Sequence, residues 1–259
     1  DAEHTQPFSA DALGDDKVGE PSDEDSVTLP ADGIRTQPGA TYNLDVTCEG
    51  NGKVAGWIDW NRNGSFDDGE KSNEVPCSTV GKAALAWTVP SDVVRSVDGE
   101  DGSSATYMRL RITADNNGNG QKPTGGTATG EVEDYRVAVR VPTLQLVKNV
   151  DNKYSTSEVQ GLAADQWTLT GGAGAYTATG NGTTGGPTVV RTGRNDLSEA
   201  TTNPGGAGYE MGQWSCEQAP GTVGENYSSS LSGATTDGKA QLIVRGTDRV
   251  LCTITNTAK

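Results

Sequence analysis

The sequence predicts an all-β protein built as two tandem β-sandwiches. Three observations carry that prediction. No stretch of the 259 residues sustains a 3.6-residue apolar period, so a helical bundle is excluded. Short runs of alternating apolar residues recur instead, each bounded by Gly, Asn, Asp or Pro, which is how strands and their turns read. The composition is Gly- and Thr-rich, with 35 Gly, 11 Pro, five Trp and seven Tyr against two Phe, two Met and 32% hydrophobic residues. No run of 18 apolar residues exists, which excludes a membrane-spanning helix. The single histidine, His4, sits near an acidic terminus, which argues against histidine-based catalysis.

Charge divides the chain. Residues 1–141 carry 25 acidic and 12 basic side chains, whereas 142–259 carry 10 and 8. A net charge of −15 leaves no basic footprint for nucleic acid or for an anionic membrane surface. It suits divalent cations and solubility. The expected organisation is an acidic lead-in over 1–27, a first sandwich over 28–141 and a second over 142–259.

In the first sandwich, strands are expected at 41–48, 54–59, 83–89, 107–113 and 131–141. The last is the clearest: Tyr135, Val137, Val139 and Val141 share one face, and Asp134, Arg136 and Arg140 the other. In the second, strands are expected at 144–150, 166–170, 188–191, 212–216, 240–244 and 249–256. A Gly/Thr-rich hairpin or loop runs from 171 to 186.

Four cysteines, Cys48, Cys77, Cys216 and Cys252, fall two to each half. Three connectivities are possible, and pairing within each half is the economical one. No Cys-x-x-Cys occurs, so zinc is not expected. The usage points to an oxidising, extracellular setting. Trp214 next to Cys216 fits a disulfide packed on an indole. The sequence shows no secretion signal or sorting tail, so it is expected to belong to a longer polypeptide with further domains.

The sharpest local motif is WIDWNRNGSFDDGE at 57–70. Counting from Asp59 as position 1, oxygen-bearing side chains fall at 1 (Asp59), 3 (Asn61), 5 (Asn63), 9 (Asp67) and 12 (Glu70). Gly64 falls at 6, and Ser65 at 7 offers its carbonyl. That spacing matches a twelve-residue Ca2+ loop, because Ca2+ takes six to eight hard oxygens and the glycine lets the chain turn sharply. A strand leads in rather than a helix, so the ion would be structural. The alternative is a metal-free acidic turn. A partial match at Asp115, Asn117, Asn119 and Gly120 reads as an ordinary loop. The acidic cluster Asp15, Asp16, Asp23, Glu24 and Asp25 reads as a solvated lead-in that could also hold a cation.

The run GWIDWNRNGSFDDGE, then MRLRI at 108–112 and GEVEDY at 130–135, resembles the GEVED domain of bacterial surface proteins. The acidic lead-in resembles the segment that commonly precedes such domains. The resemblance implies an extracellular β-sandwich in a modular protein, adhesive or of unestablished role, without catalysis. Glu131 and Glu133 share parity with the apolar residues of their strand, and buried carboxylates must be paired or bind metal. Arg109 and Arg111 are candidate partners. Glu131, Glu133 and Asp134 are also candidates to bind or support the metal. Two nearby carboxylates raise a glycosidase as well, but no substrate groove is marked.

Residues 142–259 resemble the prealbumin-like, pilin-type B repeats of Gram-positive surface proteins. LQLVKNV, DLSE at 196–199, PGGAGYEMGQWSC at 204–216 and VLCTITNT carry the likeness. Such domains form stalks, and some carry a Lys–Asn isopeptide bond. Carried over, the lysine is Lys148, the asparagine Asn256 and the assisting carboxyl Glu199. Strand parity puts all three on core sides. Asn195 stands where the family has an aromatic, and a Cys216–Cys252 bridge could replace the cross-link. The expected function is therefore a non-catalytic, calcium- and disulfide-stabilised adhesive or stalk segment at the cell surface or wall. Its expected partners are a host or neighbouring-cell glycan or protein. The alternative is a carbohydrate- or host-protein-binding tip with the first sandwich as reader, for which Trp57 or Trp60 would be exposed.

Overall fold

A computed structural model describes residues 26–96, 105–114, 122–125, 130–153, 161–220 and 226–259. The acidic cluster of the lead-in and the Asp115–Gly120 match lie outside the described residues. The chain divides into two compact units, Asp1–Arg140 and Val141–Lys259. Among the described residues, regular structure is strand apart from three short 3-10 turns. No helix there is long and apolar enough to cross a membrane.

The first unit contains β1 (Ile34–Arg35), β2 (Thr41–Thr47), β3 (Lys53–Ile58), β4 (Val75–Pro76), β5 (Lys82–Thr88), β6 (Thr106–Thr113), β7 (Glu131–Val137) and β8 (Val139–Arg140). β4-β3-β6-β7 form one antiparallel sheet, β2 pairs with β5, and β1 lies parallel to β8. The register sets Gly56 opposite Leu110 opposite Glu133, and Trp57 opposite Arg109 opposite Asp134. Because strand side chains alternate, these two rows face opposite sides. Both sides are buried. A Cβ at Gly56 would come 2.5 Å from the Trp87 ring, so β5 packs on the first side. The second side is covered by the 59–70 loop and by residues 122–125, through Arg109 and Arg111 as described below.

The second unit contains β9 (Thr143–Asp151), β10 (Thr168–Ala173), β11 (Tyr176–Asn181), β12 (Thr188–Val189), β13 (Gly193–Ala200), β14 (Tyr209–Glu210), β15 (Trp214–Gln218), β16 (Ser230–Thr236), β17 (Lys239–Val244) and β18 (Arg249–Ala258). One sheet runs β11-β10-β13-β17-β16. The other runs β12-β9-β18-β14, with β15 also on β18. β9 and β18, first and last, are parallel neighbours. Leu144, Leu146, Trp214, Val250, Cys252 and Ile254 from one sheet meet Leu169, Leu197, Leu242 and Val244 from the other in a single core, which makes this unit a β-sandwich.

The 171–186 segment is a hairpin, β10 to β11. β13 and β16 are strands where none was expected. β13 reads GRNDLSEA and offers one aliphatic residue, yet it lies between β10 and β17 with Asn195, Leu197 and Glu199 turned inward.

Candidate functional site

Three strands of the second unit bring Lys148, Glu199 and Asn256 into its core. β9 presents Lys148 and β13, across the sandwich, presents Glu199. The two side chains are fully shielded from solvent, with Nζ 2.5 Å from Oε2. The Trp167 ring lies 5.1 Å from Nζ. Burial pulls the Lys148 pKa below its ordinary value, while the Glu199 carboxylate works against that fall. On β18, Ile254 is opposite Lys148 and Asn256 is two residues further along the same face. Asn256 is fully buried, and its Oδ1 accepts the backbone N–H of Gly212 at 3.2 Å. Its Nδ2 and the second Glu199 oxygen have no hydrogen-bond partner. An amine, a carboxyl and a carboxamide thus turn into the same buried core, with polar atoms uncommitted on the last two.

Asn195, at the position where an aromatic was expected, is also fully buried. Its Nδ2 donates to the carbonyls of Arg191 and Gly193, so it holds the turn that starts β13. The disulfide and the candidate cross-link join different strand pairs. Cys216 and Cys252 face each other across β15 and β18, with Cα atoms 4.1 Å apart, whereas Lys148 and Asn256 lie on β9 and β18. The second bridge, Cys48–Cys77, spans 29 residues of the first unit.

In the first unit, the 59–70 loop folds inward on its own oxygens. Asp59 Oδ1 accepts the N–H of Asn63 at 3.1 Å, and Oδ2 that of Gly64 at 3.0 Å. Asn61 Oδ1 accepts Asn63 N–H at 3.0 Å, and Asn63 Oδ1 accepts Ser65 N–H at 2.8 Å. Gly64 adopts a positive φ of 81°, which explains a glycine at the bend. Glu70 closes the loop. Its Oε1 accepts Trp60 N–H at 2.8 Å and its Oε2 accepts Asp67 N–H at 3.0 Å. Asp67 accepts from the side-chain amide of Asn63 at 2.8 Å. Asp59 and Glu70 are both buried. Burial, with repulsion from the Asp59 carboxylate added, pushes the Glu70 pKa up to about 7, against the opposing pull of the loop N–H groups that donate to it. Among the described residues, no three carboxylate, histidine or cysteine side chains gather into a metal cluster. The loop contains three carboxylates, two side-chain amide oxygens and the Ser65 carbonyl, oxygens of the type Ca2+ takes, but its three carboxylates do not gather at one point.

The carboxylates of the 131–134 strand have partners elsewhere. Glu133 is buried and accepts from the Tyr135 hydroxyl at 2.6 Å and from Ser26 Oγ. Asp134, on the opposite face of the strand from Glu133, is buried too. Arg109 donates to it through Nε at 2.6 Å and Nη2 at 2.5 Å. Arg109 therefore pairs with Asp134 and not with Glu133, because the register puts Arg109 and Glu133 on opposite faces. Arg109 Nη1 also reaches the Pro123 carbonyl, and Arg111 reaches those of Lys122 and Gly125. Burial beside Arg109 lowers the Arg111 pKa to about 10. The Phe66 ring lies 5.9 Å from the Arg109 guanidinium, so the 59–70 loop, Arg109 and Asp134 form one connected cluster.

The 59–70 loop and this last strand fall within one family profile. Residues 53–138 match the GEVED domain. The GEVED match thus covers β3 to β7 and ends just before β8. No curated protein matches the chain. Among solved structures, the chain is similar to an adhesin from Mobiluncus mulieris that contains intramolecular disulfide, isopeptide and ester bond cross-links. Identity there is 13% over 85% of this chain and 89% of that one, with a TM-score of 0.31. It is also similar to the pilus 2b backbone protein of group B streptococcus, at 10% identity over 90% and 98%, with a TM-score of 0.38. The major pilin subunit of Bacillus cereus gives 10% identity over 88% and 67%, with a TM-score of 0.31.

One feature of the matched region departs from the sequence reading. Trp57 and Trp60 are both buried, so neither offers an exposed aromatic platform. Gly212, Trp167 and Gly238, which surround the pocket of the second unit, carried no sequence signal.

Proposed function

We propose that this chain is a non-catalytic segment of a bacterial cell-surface protein, adhesive or stalk-forming, held together by covalent and ionic staples. The observation that carries the reading is the fully buried Lys148–Glu199 pair beside Asn256. A buried ion pair of this kind is a poor source of stability, but it is suited to making a bond. In a low-dielectric pocket the proton moves from Lys148 to Glu199, leaving a neutral amine and a carboxylic acid. Lys148 Nζ adds to Asn256 Cγ and the new C–N bond forms. Glu199 gives its proton to Nδ2, the Cγ–Nδ2 bond breaks, and ammonia leaves. Glu199 then takes the surplus proton from the Lys148 nitrogen. The product is an isopeptide bond between β9 and β18, with Glu199 protonated.

Intact-mass measurement tests the reading. The protein is expected to be lighter than its sequence by one ammonia in addition to the hydrogens lost to two disulfides, and Lys148→Met restores that ammonia. A full-length mass without the ammonia loss removes the cross-link from the proposal.

The GEVED unit is proposed to take Ca2+ through Asp59, Asn61, Asn63, Asp67, Glu70 and the Ser65 carbonyl. The ion would supply positive charge against two buried carboxylates. The setting that suits both staples is extracellular, with further domains of the same polypeptide and a glycan or protein ligand on a neighbouring surface as partners.

A further inference from the structure

Amide exchange in a closed pocket needs more than an amine and a proton carrier. When Lys148 Nζ adds to Asn256 Cγ, negative charge collects on Oδ1. In a dry core that charge is costly unless a donor already points at it. Oδ1 has one: the backbone N–H of Gly212 at 3.2 Å. We propose that this N–H is the group that polarises the Asn256 carbonyl and stabilises the oxyanion as the cross-link forms. The inference rests on the isopeptide reading above and deepens it.

Three features favour this role. The approach is available only to glycine, since a Cβ at position 212 would lie 2.0 Å from the Thr255 carbonyl oxygen. The segment is fixed in register, because two residues on Trp214 pairs with Ile254, and four residues on Cys216 is bridged to Cys252. The same segment also reaches the proton carrier. Trp214 Nε1 donates to the Gly238 carbonyl at 2.9 Å, and that carbonyl accepts the Glu199 N–H at 3.0 Å. Gly238 packs so closely on Glu199 that a Cβ there would lie 2.5 Å from its Cγ. One short stretch of chain therefore sets the carbonyl on one side and the carboxyl on the other.

The balance of the step is unchanged by this assignment. Gly212 donates a hydrogen bond, transfers no proton, and releases the carbonyl oxygen when ammonia departs.

The test replaces Gly212 by glycolic acid in the full chain during cell-free translation. This turns the N–H into an ester oxygen and adds no Cβ. Loss of ammonia is followed by intact mass from the end of synthesis, across a range of pH. The expected result is cross-linking slowed on the order of a hundredfold, as when an oxyanion donor is removed, with the pH profile unchanged in shape because Lys148 and Glu199 are untouched. A rate equal to that of the unmodified chain overturns the proposal while leaving the isopeptide reading intact. An unmodified chain that never loses ammonia overturns both. A second measurement does not depend on the ester chain folding. In Lys148→Met, which cannot react, the Gly212 amide proton is expected to be protected from hydrogen exchange, and rapid exchange there overturns the proposal.

Discussion

Lys148 carries its charge into a place without water, and everything around it follows from that. Removing its counter-ion by Glu199→Ala is expected to abolish the cross-link and to destabilise the second unit by about 3–5 kcal/mol, the usual cost of an orphaned buried charge. Lys148→Met also abolishes the cross-link and in turn leaves the buried Glu199 carboxyl without its partner, so chemical denaturation should find a comparable loss. A pH effect follows as well. The folded pKa of Lys148 lies below the ordinary 10.5, so the unfolded chain binds this proton more tightly. In Asn256→Ala, which keeps a free amine, stability is therefore expected to rise as pH climbs from the folded pKa towards 10.5, and to fall as pH drops. The cross-linked protein lacks that slope, since an amide nitrogen does not titrate there. Thermal melts of both across pH measure the difference. Lys148, Glu199 and Asn256 were legible because alternation put each on a core side and because the residues around them resemble a known repeat. Gly212 was not, since its contribution is a backbone N–H, and nothing in the residue type records where that points.

The β6–β7 pair shows that alternation assigns residues to faces without saying which faces are covered. Asp134 shares its face with the exposed Arg136, but the 59–70 loop and residues 122–125 close over Asp134. Its pairing with Arg109 is buried at both ends. Asp134→Ala is expected to cost about 3–5 kcal/mol and to loosen the β6–β7 ladder, read as faster hydrogen exchange from 106 to 113. An exchange pattern identical to that of the parent protein would show that Arg109 needs only its carbonyl partner. The strands with strong period-2 runs, β2, β5, β7, β9 and β18, were readable from sequence to within a few residues. β13 and β16 were not, because β13 carries Gly, Asn and Asp, which strands disfavour, and β16 is interrupted by Gly and Ser. Their neighbours β10 and β17 impose the conformation through long-range pairing.

The two units have separate cores, and each is proposed to have its own staples beyond a disulfide. Loops of 29 and 36 residues closed by cystine each restrict the unfolded chain by about 3–4 kcal/mol. Calorimetry is expected to give two transitions. A chelator should lower only that of the first unit, by about 2.7 kcal/mol relative to a hundredfold excess of Ca2+ over its Kd. Lys148→Met should lower only the other. A chelator that moves neither transition would mean that the 59–70 loop is closed by its own hydrogen bonds without an ion. The parallel pairing of β9 with β18 has a mechanical corollary. A chain that enters along one strand and leaves along a parallel neighbour comes in at one end of the sandwich and exits at the other. Tension on the flanking segments then drags the two strands past each other along their length, loading all the ladder hydrogen bonds at once. With Lys148 joined to Asn256, that pull would travel through residues 143–148, across the new bond and out through 256–259. The rest of the unit, its disulfide included, would hang beside the line of force without bearing it.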